Sequence, residues 1–238
     1  HGGGKEVTKV CKQLGKEPKF VTSPSGIKSR YTDKETAEIF TMVMSGRINK
    51  TIVQMLQKNG INAIGLSGVD AKVIEADRKK KLLIVNEKGR KQAIDGGYTG
   101  KITNVNSEFI KSLLEKGLTP VISPIAISEE AEFLNIDGDR AAAYVAGSVK
   151  SDKVLFITNV DGLLMDDKVV PKLTLAEAKE IRPKIGPGME KKILASTEAL
   201  DMGVKQAFIA NGQKENPISN NDLINSEFTF VILPVYPP

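Results

Sequence analysis

Short apolar runs alternate with amphipathic stretches of helical period along almost the whole chain. This is the pattern of a mainly parallel sheet covered by helices. Residues 63–66, 120–125, 153–158, 206–210 and 229–233 predict strands. Thr32, followed three residues later by Glu35, predicts a capping box opening a long helix through Lys58, with Gly60 as its stop. Asn106 opens a second helix that runs to Lys116 before Gly117, and Thr174 with Glu177 opens a third. Residues 72–85 predict a basic hairpin, strands 72–75 and 81–85 around the polar turn 76–80, placed to act as a flap. No low-complexity linker interrupts the pattern. Two lobes, 1–150 and 151–238, are therefore expected to share one continuous sheet.

With 238 residues, 40% of them hydrophobic and 26% charged, the chain can bury a core without disulfide or metal staples. No apolar run approaches the roughly 18 residues of a membrane span, so no membrane is expected. One cysteine, Cys11, and one histidine, His1, exclude an intrachain disulfide and a Cys/His zinc site, and the cytoplasm is the expected compartment. No G-x-S-x-G elbow accompanies the opening His1-Gly2-Gly3-Gly4, and Ser67 lacks the second glycine, which excludes that hydrolase class. The net charge of +5 favours anionic partners, but aromatics are only 5% and the lysines are dispersed among acids. A nucleic-acid groove is not expected.

Three glycine-rich turns stand where an α/β sheet binds anions, at strand ends or helix starts. They are Gly2-Gly3-Gly4 before a helix beginning near Lys5, Thr158-Asn159-Val160-Asp161-Gly162 after an apolar strand, and Gly186-Pro187-Gly188 before another helix. The last delivers Met189, Glu190, Lys191 and Lys192 into a first helical turn, where cations oppose the helix dipole and a bound polyphosphate would relieve the cost. A P-loop is excluded: from Gly96 the spacing to Gly100-Lys101 is wrong and Ile102 replaces the magnesium-binding hydroxyl. The dinucleotide fingerprint is also absent. In Asn135-Ile136-Asp137-Gly138-Asp139-Arg140, Asp137 or Asp139 can serve simply as a helix N-cap.

Taken in order, HGGG, SGIKSRYT, EFLNIDGDRAA, FITNVDGLL and GPGMEKKI closely resemble the amino acid kinase family, specifically its N-acetylglutamate kinase branch, over nearly the whole chain. The resemblance implies a three-layer α/β/α sandwich and an ATP-dependent phosphotransferase with a carboxyl group as acceptor. It places the acceptor in the 1–150 lobe, under the 72–85 lid, and ATP with its Mg2+ in the 151–238 lobe; no dedicated metal cage is implied. Gly2, Gly3 and Gly4 would offer backbone N–H groups to the transferring phosphate. Arg30 and Asn135, with Lys28 nearby, would hold the acceptor. Lys192 would face the ATP phosphates and Asp139 would organise the catalytic lysines. Thr158, Asn159, Asp161, Gly162 and Leu163 would enclose the nucleotide with Gly186, Gly188, Met189 and Lys191.

Within that branch SGIKSRYT, GLSGVDAK and YTGKI look most like kinases whose acceptor, aminoadipate or glutamate, is carried on the acidic amino-group carrier protein LysW in lysine and arginine biosynthesis. Lys28, Arg30 and the basic turn 78–81 would attract such a carrier. Free N-acetylglutamate is the alternative acceptor, and a non-catalytic nucleotide-binding regulatory module is the alternative class. The family's usual Lys-x-Gly-Gly strand, which precedes HGGG, has no counterpart here, and a start at His1 suggests that an N-terminal strand and helix are omitted. Apolar residues on more than one side of 32–58, among them Ile39, Phe40, Met42, Val43, Met44, Ile48 and Ile52, suit a helix packed on both core and partner. The resemblance implies a homodimer through it.

Overall fold

Gly3 leads directly into the first helix, α1 (Gly4–Gln13), whose inner residues Val7 and Cys11 are buried. In the computed structural model, which describes residues 1–166, 168–186, 188–214 and the backbone of 229–232, the chain forms two units, His1–Ala141 and Ala142–Pro238. The division falls inside a helix rather than at residue 150.

In the first unit, strands β1 (Phe20–Thr22) and β2 (Lys28–Arg30) form a hairpin, followed by α2 (Lys34–Thr41), a π-helical segment Met42–Ile48 and α3 (Asn49–Lys58). One continuous helix was expected here. The N-cap is Asp33, whose carboxylate accepts from Thr36 N at 2.9 Å, so the predicted Thr32–Glu35 box does not form. Thr32 is instead fully buried, with its hydroxyl accepting from Asn135 Nδ2 at 2.9 Å; tertiary demand for that hydroxyl moves the cap one residue on. Gly60 stops the helix with φ 76°.

The parallel pair β3 (Ala63–Ser67) and β8 (Thr119–Ser123) lies under α3 and α4 (Ser107–Glu115). Between them in sequence come β4 (Ile74–Arg78), β5 (Lys81–Val85), β6 (Lys91–Asp95) and β7 (Gly100–Val105); after β8 come β9 (Ile125–Ile127) and β10 (Phe133–Asn135). The predicted 120–125 strand divides at Pro124, which cannot donate a ladder hydrogen bond.

The 72–85 hairpin is corrected. Strand β4 pairs with β7 and β9, whereas β5 pairs with β6 and β1. The two segments thus belong to different sheets, ordered β10-β9-β4-β7 and β2-β1-β5-β6. Ala71 and Lys72 stand at φ 49° and 51°, conformations that end extended structure before β4 begins. The true hairpin is β5–β6, closed by an Asn86–Arg90 turn in which Asn86 Oδ1 accepts from Lys88 N and Arg90 N.

Helix α5 (Gly138–Val149) is capped by Asp137, whose Oδ1 accepts from Asp139 N at 3.1 Å and Arg140 N at 3.2 Å. The N-cap reading of Asp137 is the one observed. In the second unit, β11 (Lys153–Thr158) runs parallel to β15 (Gln206–Asn211), which pairs antiparallel with β16 (Thr229–Ile232), itself parallel to β14 (Lys172–Thr174). The last predicted residue of that strand, Leu233, lies outside the described residues. A short hairpin, β12 (Leu164–Met165) and β13 (Lys168–Val169), follows β11. Helix α6 (Leu175–Ile181) starts on the predicted Thr174–Glu177 capping box, and α7 (Met189–Asp201) starts after Gly188. Phe156, Leu163, Ile193, Leu200 and Ile209 build the core of this unit. The fold is α/β, with parallel strand pairs in both units.

Candidate active site

In the first unit the glycine run lies over the π-helical segment. A Cβ at Gly3 would stand 2.2 Å from Ile48 Cδ1 and 2.8 Å from Met44 Sδ, whereas Gly2 and Gly4 face open space. Both atoms lie toward the ends of flexible side chains, so the fit at position 3 is close without demanding glycine, and its neighbours leave room for an anion at the start of α1, where backbone N–H groups have no intrahelical acceptor. The loop is held from below. The main-chain nitrogen of His1 donates to Ile122 O at 3.1 Å. Fully buried Asn49 donates from Nδ2 to Val121 O at 2.7 Å and Leu66 O at 3.3 Å, and lies 3.2 Å from His1 Nε2. Ser45, inside the π segment, meets buried Ser123 hydroxyl to hydroxyl at 2.9 Å.

Arg30, at the end of β2, reaches across to α1. Its Nη2 donates to Gly4 O at 2.9 Å and Thr8 Oγ1 at 2.7 Å, and its guanidinium carbon lies 5.0 Å from the centre of the Phe20 ring. Nη1 is buried and makes no hydrogen bond. Burial pulls the guanidinium down from its ordinary value, with a smaller opposing effect from Cys11. A donor nitrogen that is out of solvent and has no partner costs free energy, which makes this half-buried guanidinium a candidate to take an anion. Lys28 shares the Phe20 ring at 5.4 Å but is itself exposed. Asn135 is tied to Thr32 as described, and its backbone N donates to Tyr98 O. Asp139 stands in the first turn of α5, beside Gly138, where a Cβ would lie 3.8 Å from His1 O. The first unit thus brings the glycine run, Arg30 and the start of α5 to one region.

In the second unit Thr158 ends β11, and its carbonyl accepts from Gly212 N at 2.8 Å. Asp161 accepts from Asn211 Nδ2 at 2.9 Å and pairs with Lys214 at 3.3 Å; these bonds, Asn211 first, hold its carboxyl below the usual range. Asn159 is exposed. Gly162 and Gly188 adopt φ of 148° and 97°, and Gly186 O accepts from Glu190 N at 3.3 Å. Pro187 lies outside the described residues. Leu163 is a core residue, and Met189 packs on the same apolar cluster, which seats both glycine-rich segments on one foundation. Lys191 and Lys192 are half-buried in the first turn of α7.

A scan against family models matches residues 1–211 to the amino acid kinase family. The chain belongs to the amino acid kinase family. A Nitrosopumilus maritimus protein that provisionally carries the name LysW-aminoadipate/LysW-glutamate kinase is 93% identical over 220 residues, covering 92% of this chain and 82% of that protein. The LysW-aminoadipate/LysW-glutamate kinase of Sulfolobus acidocaldarius is 48% identical over 221 residues, 92% of this chain and 84% of that one. Among solved structures, N-acetylglutamate synthase of Neisseria gonorrhoeae, complexed with coenzyme A and N-acetyl-glutamate, superposes with a TM-score of 0.74 at 20% identity, covering 99% of this chain and 51% of that one. That likeness concerns the fold.

Sequence reasoning missed Asn211 and Lys214, although an Asn-Gly pair closing an apolar strand was a usable signal. It also missed Thr8 and Asn49, for which the sequence carries no local sign. Among the described residues no helix is long and apolar enough to cross a membrane, and no group of three His, Cys, Asp or Glu side chains could hold a metal.

Proposed function

We propose that this amino acid kinase transfers the γ-phosphoryl group of ATP to the side-chain carboxylate of 2-aminoadipate or glutamate carried on LysW, giving an acyl phosphate. The observation that carries the reading is Arg30: a half-buried guanidinium whose Nη1 is out of solvent and has no partner, fixed beside the glycine run through Nη2. A carboxylate acceptor is already ionised at neutral pH and needs no general base, so the difficulty is bringing one anion onto another. Arg30 and Asn135 would hold the amino-acid part of the acceptor, Gly2 to Gly4 would offer N–H groups to the transferring phosphoryl oxygens, and Lys192 would neutralise the charge spreading over them. Asp139 would orient the cations. In the second unit the Thr158–Leu163 and Gly186–Lys191 segments would enclose the nucleotide. Magnesium accompanying ATP would supply further charge neutralisation.

The carrier-linked form is favoured by one face of the β2-β1-β5-β6 sheet. Strand register puts Phe20, Lys28, Arg30, Lys81, Leu83 and Lys91 on that face, with one acid, Asp95, opposite Lys81; Phe20 and Leu83 are exposed. Apolar positions rimmed by lysines and continuous with Arg30 suit an acidic protein better than a small free acid. LysW-bound aminoadipate or glutamate is expected to show kcat/KM at least about tenfold above free N-acetylglutamate. Equal or better turnover of the free compound sinks the carrier reading, and nucleotide binding without any turnover points to the regulatory module.

A homodimer is proposed through α2, the π segment and α3, where Met42 and Met55 are 58% and 60% exposed. Met55→Glu is expected to shift the protein toward monomer in sedimentation velocity, because a charge would have to be buried. An unchanged sedimentation coefficient would place the contact elsewhere.

A further inference from the structure

Arg30, Gly4 and Thr8 close a ring of hydrogen bonds. Thr8 Oγ1 donates to Gly4 O at 3.0 Å, Arg30 Nη2 donates to Thr8 Oγ1 at 2.7 Å, and the same Nη2 donates to Gly4 O at 2.9 Å. The hydroxyl proton is committed to Gly4, so the oxygen's lone pairs are left to receive Arg30. Both hydrogens of Nη2 are thereby used. The Phe20 ring, 5.0 Å from the guanidinium carbon, flanks the group. What remains is Nη1, buried and without a partner.

We infer that Thr8 is a positioning residue for phosphoryl transfer: its hydroxyl fixes which edge of the Arg30 guanidinium is presented to the acceptor, and locks that edge to the glycine run. The inference rests on the kinase reading above. Arg30 belongs to a strand and Gly4 to a helix 26 residues away in sequence, and Thr8 bonds to both. A hydroxyl that merely bonded back to the carbonyl four residues earlier would be an ordinary helical habit with no bearing on a site. Here the same oxygen also serves a charged donor, and hydrogen bonds to charged groups are about twice as strong as neutral ones. Without it, one Nη2 hydrogen loses its acceptor and the guanidinium is free to turn against the Phe20 ring. The acceptor's carboxylate then meets a mixture of orientations.

The test is Thr8→Val, which keeps the branched shape and removes the hydroxyl, beside Thr8→Ser, which keeps the hydroxyl. Steady-state kinetics with LysW-bound glutamate should show acceptor KM raised about tenfold in the valine variant, ATP KM unchanged, and the serine variant within about threefold of the parent. An unchanged acceptor KM in Thr8→Val, or equal losses in valine and serine variants, overturns the inference. In an Arg30→Ala background Thr8→Val should add less than about twofold, because the group it positions is gone; a further full tenfold loss also overturns it. If the parent protein turns over no acceptor, the kinase reading fails by itself. Calorimetric binding of LysW-bound glutamate then decides the positioning role, with about tenfold weaker binding by Thr8→Val supporting it and equal affinity refuting it.

Discussion

Replacing Lys192 with alanine lowers turnover by about 100- to 1,000-fold and leaves nucleotide affinity within about threefold, an effect of roughly 3–4 kcal/mol on the transition state alone. The expectation comes from where the lysine stands. A cation in the first turn of α7 opposes the helix dipole, and the adjacent Lys191 adds a second. Both are half-buried, so neither is dispersed in solvent, where screening would make the placement harmless. Glu190 stands in the same turn, and a lysine at this helix start is placed where negative charge growing during reaction could meet it. On the proposed reading, ground-state ATP would meet the other glycine-rich segments equally well without it. The check is kcat against ATP KM, with fluorescence titration of a nucleotide analogue as the independent measure of affinity. Near-normal turnover would remove Lys192 from the chemistry, and a loss confined to affinity would make it a binding residue.

Arg30→Ala is expected to reduce kcat/KM for the acceptor by about 100-fold or more, since truncating one partner of a buried charge pair costs about 2–5 kcal/mol. ATP KM should not move. The variant should fold, because Gly4 O and the Thr8 hydroxyl still satisfy one another at 3.0 Å, and β2 keeps its three-residue register with β1. Arg30→Lys should recover only a small part of the loss: an ammonium is a point donor that cannot bond Gly4 and Thr8 on one nitrogen while presenting a second nitrogen to a carboxylate. An alanine variant with unchanged acceptor KM would require another anchor for the carboxylate.

Much of this was readable from residues alone, for a local reason. The caps at Asn106 and at Thr174 with Glu177 form as expected because each is decided within four residues. Strands 153–158 and 206–210 stand out by apolar runs between clear breakers. Pro124, which divides the predicted 120–125 strand, is a local miss; the helix cap and the hairpin are decisions made at long range. Thr32 and Asp33 are equally good caps by local chemistry, and Asn135, 103 residues away, settles the matter by taking the Thr32 hydroxyl. Residues 72–85 look like a hairpin because β4 and β5 adjoin in sequence, while the partners that claim them, β7 and β6, lie further along. At the site, glycine turns and paired lysines announce themselves by type. The Thr8–Arg30 bond spans 22 residues, and nothing in either residue's neighbourhood points to the other.

The π-helical segment Met42–Ile48 places a limit on how this chain can vary. Its hydrogen bonds reach five residues back rather than four, so the segment holds more chain per turn than the α-helices on either side. The backbone of Gly3 lies against its Met44 and Ile48 side chains, and Asn49 follows at once to clasp the two strand carbonyls. Substitutions on the exposed side of the segment, as at Met42, leave this arrangement in place. Loss of one residue would rewind the segment and turn everything after it about the helix axis, carrying Asn49 away from Leu66 and Val121. For this stretch, a change of length would disturb more of the fold than most changes of side chain.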